Sequence, residues 1–157
     1  MSIHERFRIL LPTDKPILFF CIGTDRSTGD CLGPLVGDQL HKKGFNVLGT
    51  IDNPVHAENL QDYLKIVRVI YDDHFIVAVD ASLGKKEQVG RISVRDGPLR
   101  PGAGIRKVLP IVGDIHITGV VNISGYMEFF VLQSTKLSLV MRMANSIVQA
   151  VEEVLRE

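Results

Sequence analysis

Two short, continuously apolar runs constrain the fold of this chain most. ILFFCI (17–22) follows a proline, and FIVAV (75–79) ends on Asp80. Runs of this length, rich in branched and aromatic side chains, are typical of strands that are buried on both faces. Because segments with helical spacing lie between and after them, the chain is predicted to form a mostly parallel sheet with helices on both faces.

The remaining elements follow the same alternation. Some segments have apolar side chains every three or four residues, which predicts helices, and others have strand-like patterns. The predicted helices cover residues 32–43 (closed by Gly44), 60–70 and 137–154, and the further strands cover 45–51, 91–96 and 114–122. We therefore predict an α/β fold of three layers, αβα, in a single domain that covers residues 1–157.

The charge balance excludes several classes of function. The 157 residues include 18 basic and 18 acidic side chains, so no net field would hold a nucleic acid backbone or an anionic membrane. No window has the length of a membrane span, and the N-terminus lacks the pattern of a signal peptide. We therefore predict a cytoplasmic protein that binds neither nucleic acid nor membrane. One group of basic residues is interpreted as a solvated rim: Lys85, Lys86, Arg91 and Arg95.

The cysteines and glycines exclude further kinds of site. Cys21 and Cys31 do not have the spacing of a disulfide framework or of a zinc finger. The loop GTDRSTGDCLG (23–33) lacks the lysine and the glycine spacing of a nucleotide-binding loop. Its acidic residues would also repel phosphate.

Two acidic residues occupy positions at which ligands bind in folds of this class. Asp80 ends the run at 75–79, and Asp30 ends the loop that follows the run at 17–22. Loops converge beyond the carboxyl ends of parallel strands, so both carboxylates are expected to face one cleft. Two close carboxylates can share a proton, which separates their pKa values and yields one general acid and one general base.

Other interpretations of these residues are open. Asp30 could simply cap the following helix, and Asp80 could simply form a turn. The pair could also bind a divalent metal, although the favoured prediction contains no cofactor. Cys31 could act as a nucleophile with His56 or His116, because a thiolate is stabilised at the start of a helix.

The motifs around both acids resemble those of a known family. IGTDRSTGDCLGPLVG (22–37) and FIVAVDASLG (75–84) resemble segments of the YyaC-like sporulation proteins. More distantly, they resemble the two catalytic segments of the germination protease of spore-forming bacteria, in which Asp30 and Asp80 take the positions of the aspartates. RPGAGIRKV (100–108) resembles a Pro-Gly-Ser-Gly loop of that protease.

The chain also resembles the hydrogenase maturation endopeptidases, which share the wider fold. Those proteins place one acid after a glycine turn, a second acid at the end of a strand, and a histidine, and the three contact a metal in the partner protein. Asp30 and Asp80 match the two acids, and His116 is the candidate for the histidine.

These resemblances imply a peptidase, in the sporulating cell or the spore interior, that acts on a spore protein or another sporulation protein. One aspartate would deprotonate a water, and the other would protonate the carbonyl oxygen or the departing amine. The residues implied to bind the substrate are Gly23, Thr24, Asp25, Ser27, Gly29, His56 and Gly102. The alternatives are a non-catalytic binding or regulatory module on a peptidase-like fold, and a metal-dependent hydrolase.

Three aromatic residues near the C-terminal helix bear on assembly. Tyr126, Phe129 and Phe130 are expected to be buried in the core, because large aromatic side chains contribute most of their stabilisation there. If they are exposed instead, they favour a homodimer.

Overall fold

The central sheet consists of five strands. The structure is a computed structural model that describes residues 1–101 and 109–156. The strands lie in the order β2-β1-β3-β5-β4, in which β4 is antiparallel to β5 and all other pairs are parallel. Their bounds are β1 Ile17–Cys21, β2 Asn46–Leu48, β3 Phe75–Gly84, β4 Ile92–Asp96 and β5 Ile115–Ile123.

Helices cover both faces of this sheet. Side chains from α1, α2 and α5 form the larger apolar cluster on one face, and α3 contributes to a smaller cluster on the other. The bounds of the helices are α1 Ile3–Leu10, α2 Leu32–Lys42, α3 Leu60–Ile70, α4 Glu128–Gln133 and α5 Leu137–Leu155. The prediction of a three-layer α/β fold with a mostly parallel sheet is therefore confirmed. Among the described residues, no helix is both long enough and apolar enough to span a membrane.

Helix α1 was not predicted, although the sequence contains a signal for it. The Ser2 hydroxyl accepts from the Glu5 N–H at 3.1 Å, and the Glu5 carboxylate accepts from the Ser2 N–H at 2.9 Å. This reciprocal pair satisfies two N–H groups at the helix start. Phe7 then anchors the helix in the core, and the Arg6 Nε donates to the Val94 carbonyl at 3.0 Å on the edge strand β4.

Two predicted strand boundaries are wrong. The strand at 75–80 does not end at Asp80 but continues to Gly84, because its partner β5 extends further than β1 and keeps pairing with residues 81–84. The strand predicted at 45–51 is reduced to β2, since Gly49 has a φ of +98° and a Cβ at that position would lie 1.8 Å from the Cys21 carbonyl oxygen.

The predicted burial of three aromatic residues is also wrong. Tyr126 is 78% exposed, Phe129 is 60% exposed and Phe130 is 59% exposed. They lie on α4 and the turn before it, where Leu132 is the residue that enters the core. The homodimer remains a prediction.

Candidate active site

Asp80 lies in the interior of β3 but at the end of the neighbouring strand. Cys21, the last residue of β1, pairs with Val79, and the Ile22 N–H donates to the Val79 carbonyl at 2.8 Å. Beyond that point β1 turns away into the loop at 23–28, so the cleft opens beside Asp80 even though β3 continues. Asp80 is 4% exposed, and in the other direction it pairs with Thr118 of β5.

Main-chain contacts fix the position of Asp30 near the end of β1. It is the middle residue of a 3₁₀ turn, Gly29–Cys31, between the loop and α2. The Asp30 carbonyl accepts from the Thr24 N–H at 3.0 Å, which folds the loop back on itself. Gly23 has a φ of +142°, and a Cβ at that position would lie 2.1 Å from the Asp30 carbonyl oxygen. The loop can therefore close over β1 only with glycine at position 23.

Helix capping does not explain Asp30. The N-cap position of α2 is Cys31, and no side chain makes a capping hydrogen bond there. The interpretation of Asp30 as a helix cap is therefore wrong.

The two carboxyl groups influence each other's protonation. Burial raises the pKa of Asp80 well above its ordinary value, and the nearby charge of Asp30 raises it further, whereas the N–H of Ala81 opposes both effects. Burial also raises the pKa of Asp30, from 3.8 to about 7. The raised pKa of Asp80 favours its protonated form, whereas Asp30 can exchange a proton near pH 7, which is the division of roles that general acid–base catalysis requires.

Asp30 opens onto a cavity of about 340 Å³. The loop after β1 forms one wall, the turn before α3 forms the second and α4 forms the third. Asp80 does not line this cavity but lies behind Asp30. The lining residues are Thr24, Arg26, Ser27, Asp30, His56, Ala57, Glu58, Phe129, Leu132 and Gln133.

His56 is fixed in orientation on the second wall. Its Nδ1 accepts from the Glu58 N–H at 3.2 Å, so the neutral ring carries its proton on Nε2. The Asn59 side chain accepts from the His56 N–H at 2.8 Å and donates to the Pro54 carbonyl at 2.9 Å. These bonds lock the turn, and the bridge between Val55 and Ile22 joins it to the end of β1. His56 therefore presents a fixed N–H donor in the cavity that contains Asp30.

Ser27 has a buried hydroxyl without a partner. It lines the cavity beside Asp30, and its Oγ forms no hydrogen bond with the described part of the protein. A buried polar atom left unpaired costs free energy, so such an atom in a cavity indicates that a ligand or a water completes it.

The other predicted loop residues have different positions. The N–H groups of Gly23 and Thr24 already donate, to the carbonyls of Val55 and Asp30, so these two groups are not free to bind a substrate. Asp25 is exposed outside the cavity. Gly29 is buried against α4, where a Cβ would lie 2.8 Å from Leu132. Gly102 lies outside the described residues.

The predicted cysteine nucleophile is not supported by the surroundings of Cys31. Burial and the charges of Asp25, Asp30 and Asp38 raise the pKa of its thiol to about 11. The neutral thiol is therefore the form present at physiological pH, and it is a poor nucleophile.

A divalent metal held by Asp30 and Asp80 stays a prediction, and a catalytic zinc would need a third protein ligand. No group of three or more His, Cys, Asp or Glu that could hold a metal is assembled among residues 1–101 and 109–156. His116, the candidate third ligand, donates from Nδ1 to the Gly97 carbonyl at 2.8 Å. Because a carbonyl can only accept, the proton of the ring lies on Nδ1. His116 lies opposite Ala78, two residues before the level of Asp80.

Six lining residues were not predicted from the sequence. They reach the cavity from three separate segments and are Arg26, Ala57, Glu58, Phe129, Leu132 and Gln133. Arg26 lies in the same glycine-rich loop as Asp30 and could have been included on that ground. The residues of α4 carry no local signal, because their position depends on how that short helix packs against the 3₁₀ turn.

The fold is that of the hydrogenase maturation proteases. The NiFe hydrogenase maturation protease HycI from Thermococcus kodakarensis KOD1 superposes with a TM-score of 0.67 at 16% identity, which covers 96% of this chain and 99% of that one. The NiFe hydrogenase maturation protease HybD from Thermococcus kodakarensis gives a TM-score of 0.53 at 17% identity, covering 88% of this chain and 98% of that one. At these identities the similarity establishes the fold.

The sequence itself matches a family and a bacterial relative. The chain is 55% identical over 134 residues to "Uncharacterized protein YyaC" from Bacillus subtilis (strain 168). That match covers 83% of this chain but spans 65% of the relative's length. The family described as "Protein of unknown function (DUF1256)" matches residues 3–150. The predicted resemblance to YyaC is thus confirmed, and the chain belongs to the DUF1256 family.

Proposed function

We propose that this chain is a peptidase in which Asp30 and Asp80 form a proton-sharing dyad. The observation that carries the proposal is the electrostatic coupling of the two carboxyls, which lie on separate parts of the chain and meet where β1 ends. Structural ion pairs lower the pKa of a carboxyl, whereas both pKa values are raised here, at a cost in stability. A fold that keeps two such acids beside a cavity is a candidate for acid–base chemistry.

The two carboxyls divide the steps of peptide hydrolysis. Asp30, when ionised, takes a proton from a water in the cavity, and the resulting hydroxide attacks the scissile carbonyl carbon. Asp30 then gives its proton to the departing amine as the C–N bond breaks, and Asp80, which does not line the cavity, replaces that proton with its own. The proton now on Asp30 then passes to Asp80, which restores the starting state. His56 and Ser27 are placed to orient the substrate through the Nε2–H and the hydroxyl.

The proposed substrate is a spore protein or another sporulation protein. The resemblance of the two acid-bearing motifs to the germination protease supports this class. The cavity is also suited to a polypeptide, since Phe129 and Leu132 offer an apolar wall opposite the polar loop. The proposed site of action is the cytoplasm of the sporulating cell or the spore interior.

The proposal is tested by incubating the purified chain with small acid-soluble spore proteins and with a spore extract. New peptide termini, identified by mass spectrometry, are the expected result. If no substrate is cut while a spore protein is retained on the immobilised chain, the fold serves as a binding module and the peptidase proposal is wrong.

Ser27→Ala separates the stability of the site from its function. The substitution removes a buried hydroxyl that has no partner in the described protein, so we expect the free energy of unfolding to change by less than about 1 kcal/mol or to rise. If the hydroxyl binds substrate, KM should increase about tenfold, in line with the loss of one hydrogen bond. Thermal melting and steady-state kinetics measure the two effects. A marked loss of stability with unchanged KM would contradict this role.

A further inference from the structure

A second concave surface lies on the same face of the sheet as Asp80. This basic groove has a volume of about 450 Å³, and its floor is formed by β4, β5 and the end of β3. The helix that covers this face, α3, packs over the other half of the sheet. The groove is defined here by three arginines, Arg91, Arg95 and Arg100, with His116, Thr118 and Ser82 on its floor.

The register of the strands places these groups together. On the antiparallel pair, Arg95 lies opposite His116 and Ser93 lies opposite Thr118. Side chains directly opposite each other are about 5 Å apart at Cβ, so Arg95 and His116 are neighbours. Arg91 and Arg95 share one face of β4, since they are four residues apart, which corresponds to about 13 Å along a strand. Their long side chains can reach one ligand from both ends of the groove.

The positive charges in the groove have no internal counter-charge. Each of the three arginines is exposed, and within the described protein none forms an ion pair or hydrogen bond through its guanidinium. Among the residues that the structure describes, no acidic side chain lines the groove. Arg91 and Arg95 are exposed, as the interpretation of a solvated rim expects, and they also line the groove.

The groove is continuous with the dyad along the sheet. Thr118 lines the groove and is the β5 partner of Asp80 in the parallel ladder. Ser82 lies two residues beyond Asp80, on the same face of β3 because side chains alternate along a strand. A ligand in the groove would thus contact residues that lie next to Asp80 in the sheet.

We propose that the basic groove binds carboxylate side chains of the polypeptide substrate, so that the chain selects acidic sequences. Guanidinium groups bind carboxylates through paired, charge-assisted hydrogen bonds, and the serine and threonine hydroxyls on the floor add further donors. As a statement about substrate choice, this inference rests on the proposed peptidase function; as a statement about binding, it does not.

An acidic peptide fits the groove better than a nucleic acid does. Surfaces that bind single-stranded nucleic acids combine basic residues with aromatic side chains on which the bases stack. The residues that line the groove include no Phe, Tyr or Trp. The whole chain has a formal net charge of zero, so it lacks the broad positive field that long polyanions require.

The test measures binding, so its result does not depend on catalysis. A short fluorescein-labelled Gly/Ser peptide that contains two glutamates is titrated with the full chain, and fluorescence anisotropy gives the Kd. The same peptide with glutamine in place of glutamate is the ligand control. We expect the glutamate peptide to bind at least tenfold more tightly, and Arg91→Gln or Arg95→Gln to weaken it by about tenfold.

Arg142→Gln is the matched protein control. Arg142 is exposed on α5, on the opposite face of the sheet, and its loss changes the net charge equally. It should leave the Kd of the glutamate peptide unchanged, and circular dichroism should show the same fold for all three variants. The inference is overturned by equal binding of the two peptides, by an Arg142→Gln effect as large as that of Arg91→Gln, or by tighter binding of a short single-stranded oligonucleotide. If the chain cleaves peptides without glutamate selectivity, the peptidase proposal stands and only this inference is wrong. If the chain binds the glutamate peptide selectively but cleaves nothing, the groove binds carboxylates and the peptidase proposal is wrong.

Discussion

Asp30→Asn is expected to reduce peptide cleavage by about 10²–10⁴-fold, which is the usual contribution of a positioned acid or base. An amide cannot accept the proton of the attacking water, although it has the same shape as the carboxyl. The fold should survive, because the position of residue 30 is fixed by its carbonyl and by the glycine at position 23 rather than by the carboxylate. Asp80→Asn should have an effect of similar size, since an amide cannot replace the proton that Asp30 gives to the leaving amine.

The comparison variant is Asp72→Asn. Asp72 is an exposed acid in the turn after α3, away from the cavity, so its substitution should leave the rate unchanged. In the unsubstituted chain, the rate should rise with pH as Asp30 ionises around pH 7. Activity that persists in both dyad variants, or a rate that is flat across this range, would remove the dyad from the mechanism.

The free energy of unfolding is expected to fall as the pH rises from about 4 to about 7. In this range the Asp30 carboxyl of the unfolded chain is ionised, with an ordinary pKa of 3.8, whereas that of the folded chain is protonated up to about pH 7. The folded state therefore binds more protons, and stability is lost with increasing pH. The difference between the two pKa values corresponds to roughly 4 kcal/mol for Asp30, and the raised pKa of Asp80 acts in the same direction.

Urea unfolding at a series of pH values measures this dependence. Asp30→Asn and Asp80→Asn should each flatten the slope and should be more stable than the parent chain at pH 7. Asp73 and Glu153 have lowered pKa values and act in the opposite direction at acidic pH, but both are fully exposed and contribute little. Stability that increases between pH 4 and pH 7, or an unchanged slope in both variants, would show that the two acids are not buried as a pair.

Much of the architecture can be predicted from local patterns. The runs at 17–22 and 75–79, which form β1 and the first half of β3, are apolar throughout because helices cover both faces of the sheet. The apolar side chains that recur every three or four residues along α5 likewise predict a long helix packed on the sheet. The expectation that Asp30 and Asp80 face one cleft required only that the strands before them be parallel neighbours, and β1 and β3 are. Gly44 was predicted to close α2, because glycine often ends a helix, and its φ of +89° agrees with that role.

The features that could not be predicted depend on distant partners. Asp80 does not end its strand, because the extent of β3 is set by the length of β5 some 35 residues later, as the pairing of Gly84 with Ile123 shows. The exposed aromatic residues of α4 are of types that are common in protein cores. Which side of this short helix faces the core depends on its packing against distant parts of the chain. The basic groove joins residues from three strands and the loop after β4, so no single window of sequence displays it.

The edges of the sheet determine how copies of this chain can associate. On one side the outermost strand, Asn46–Leu48, is too short to guide a second chain into register. On the other side Arg6 already occupies an outward carbonyl of Ile92–Asp96. Backbone-to-backbone polymerisation, the usual hazard of an open sheet, is therefore discouraged at both ends. Self-assembly of this chain would therefore have to proceed through side-chain surfaces.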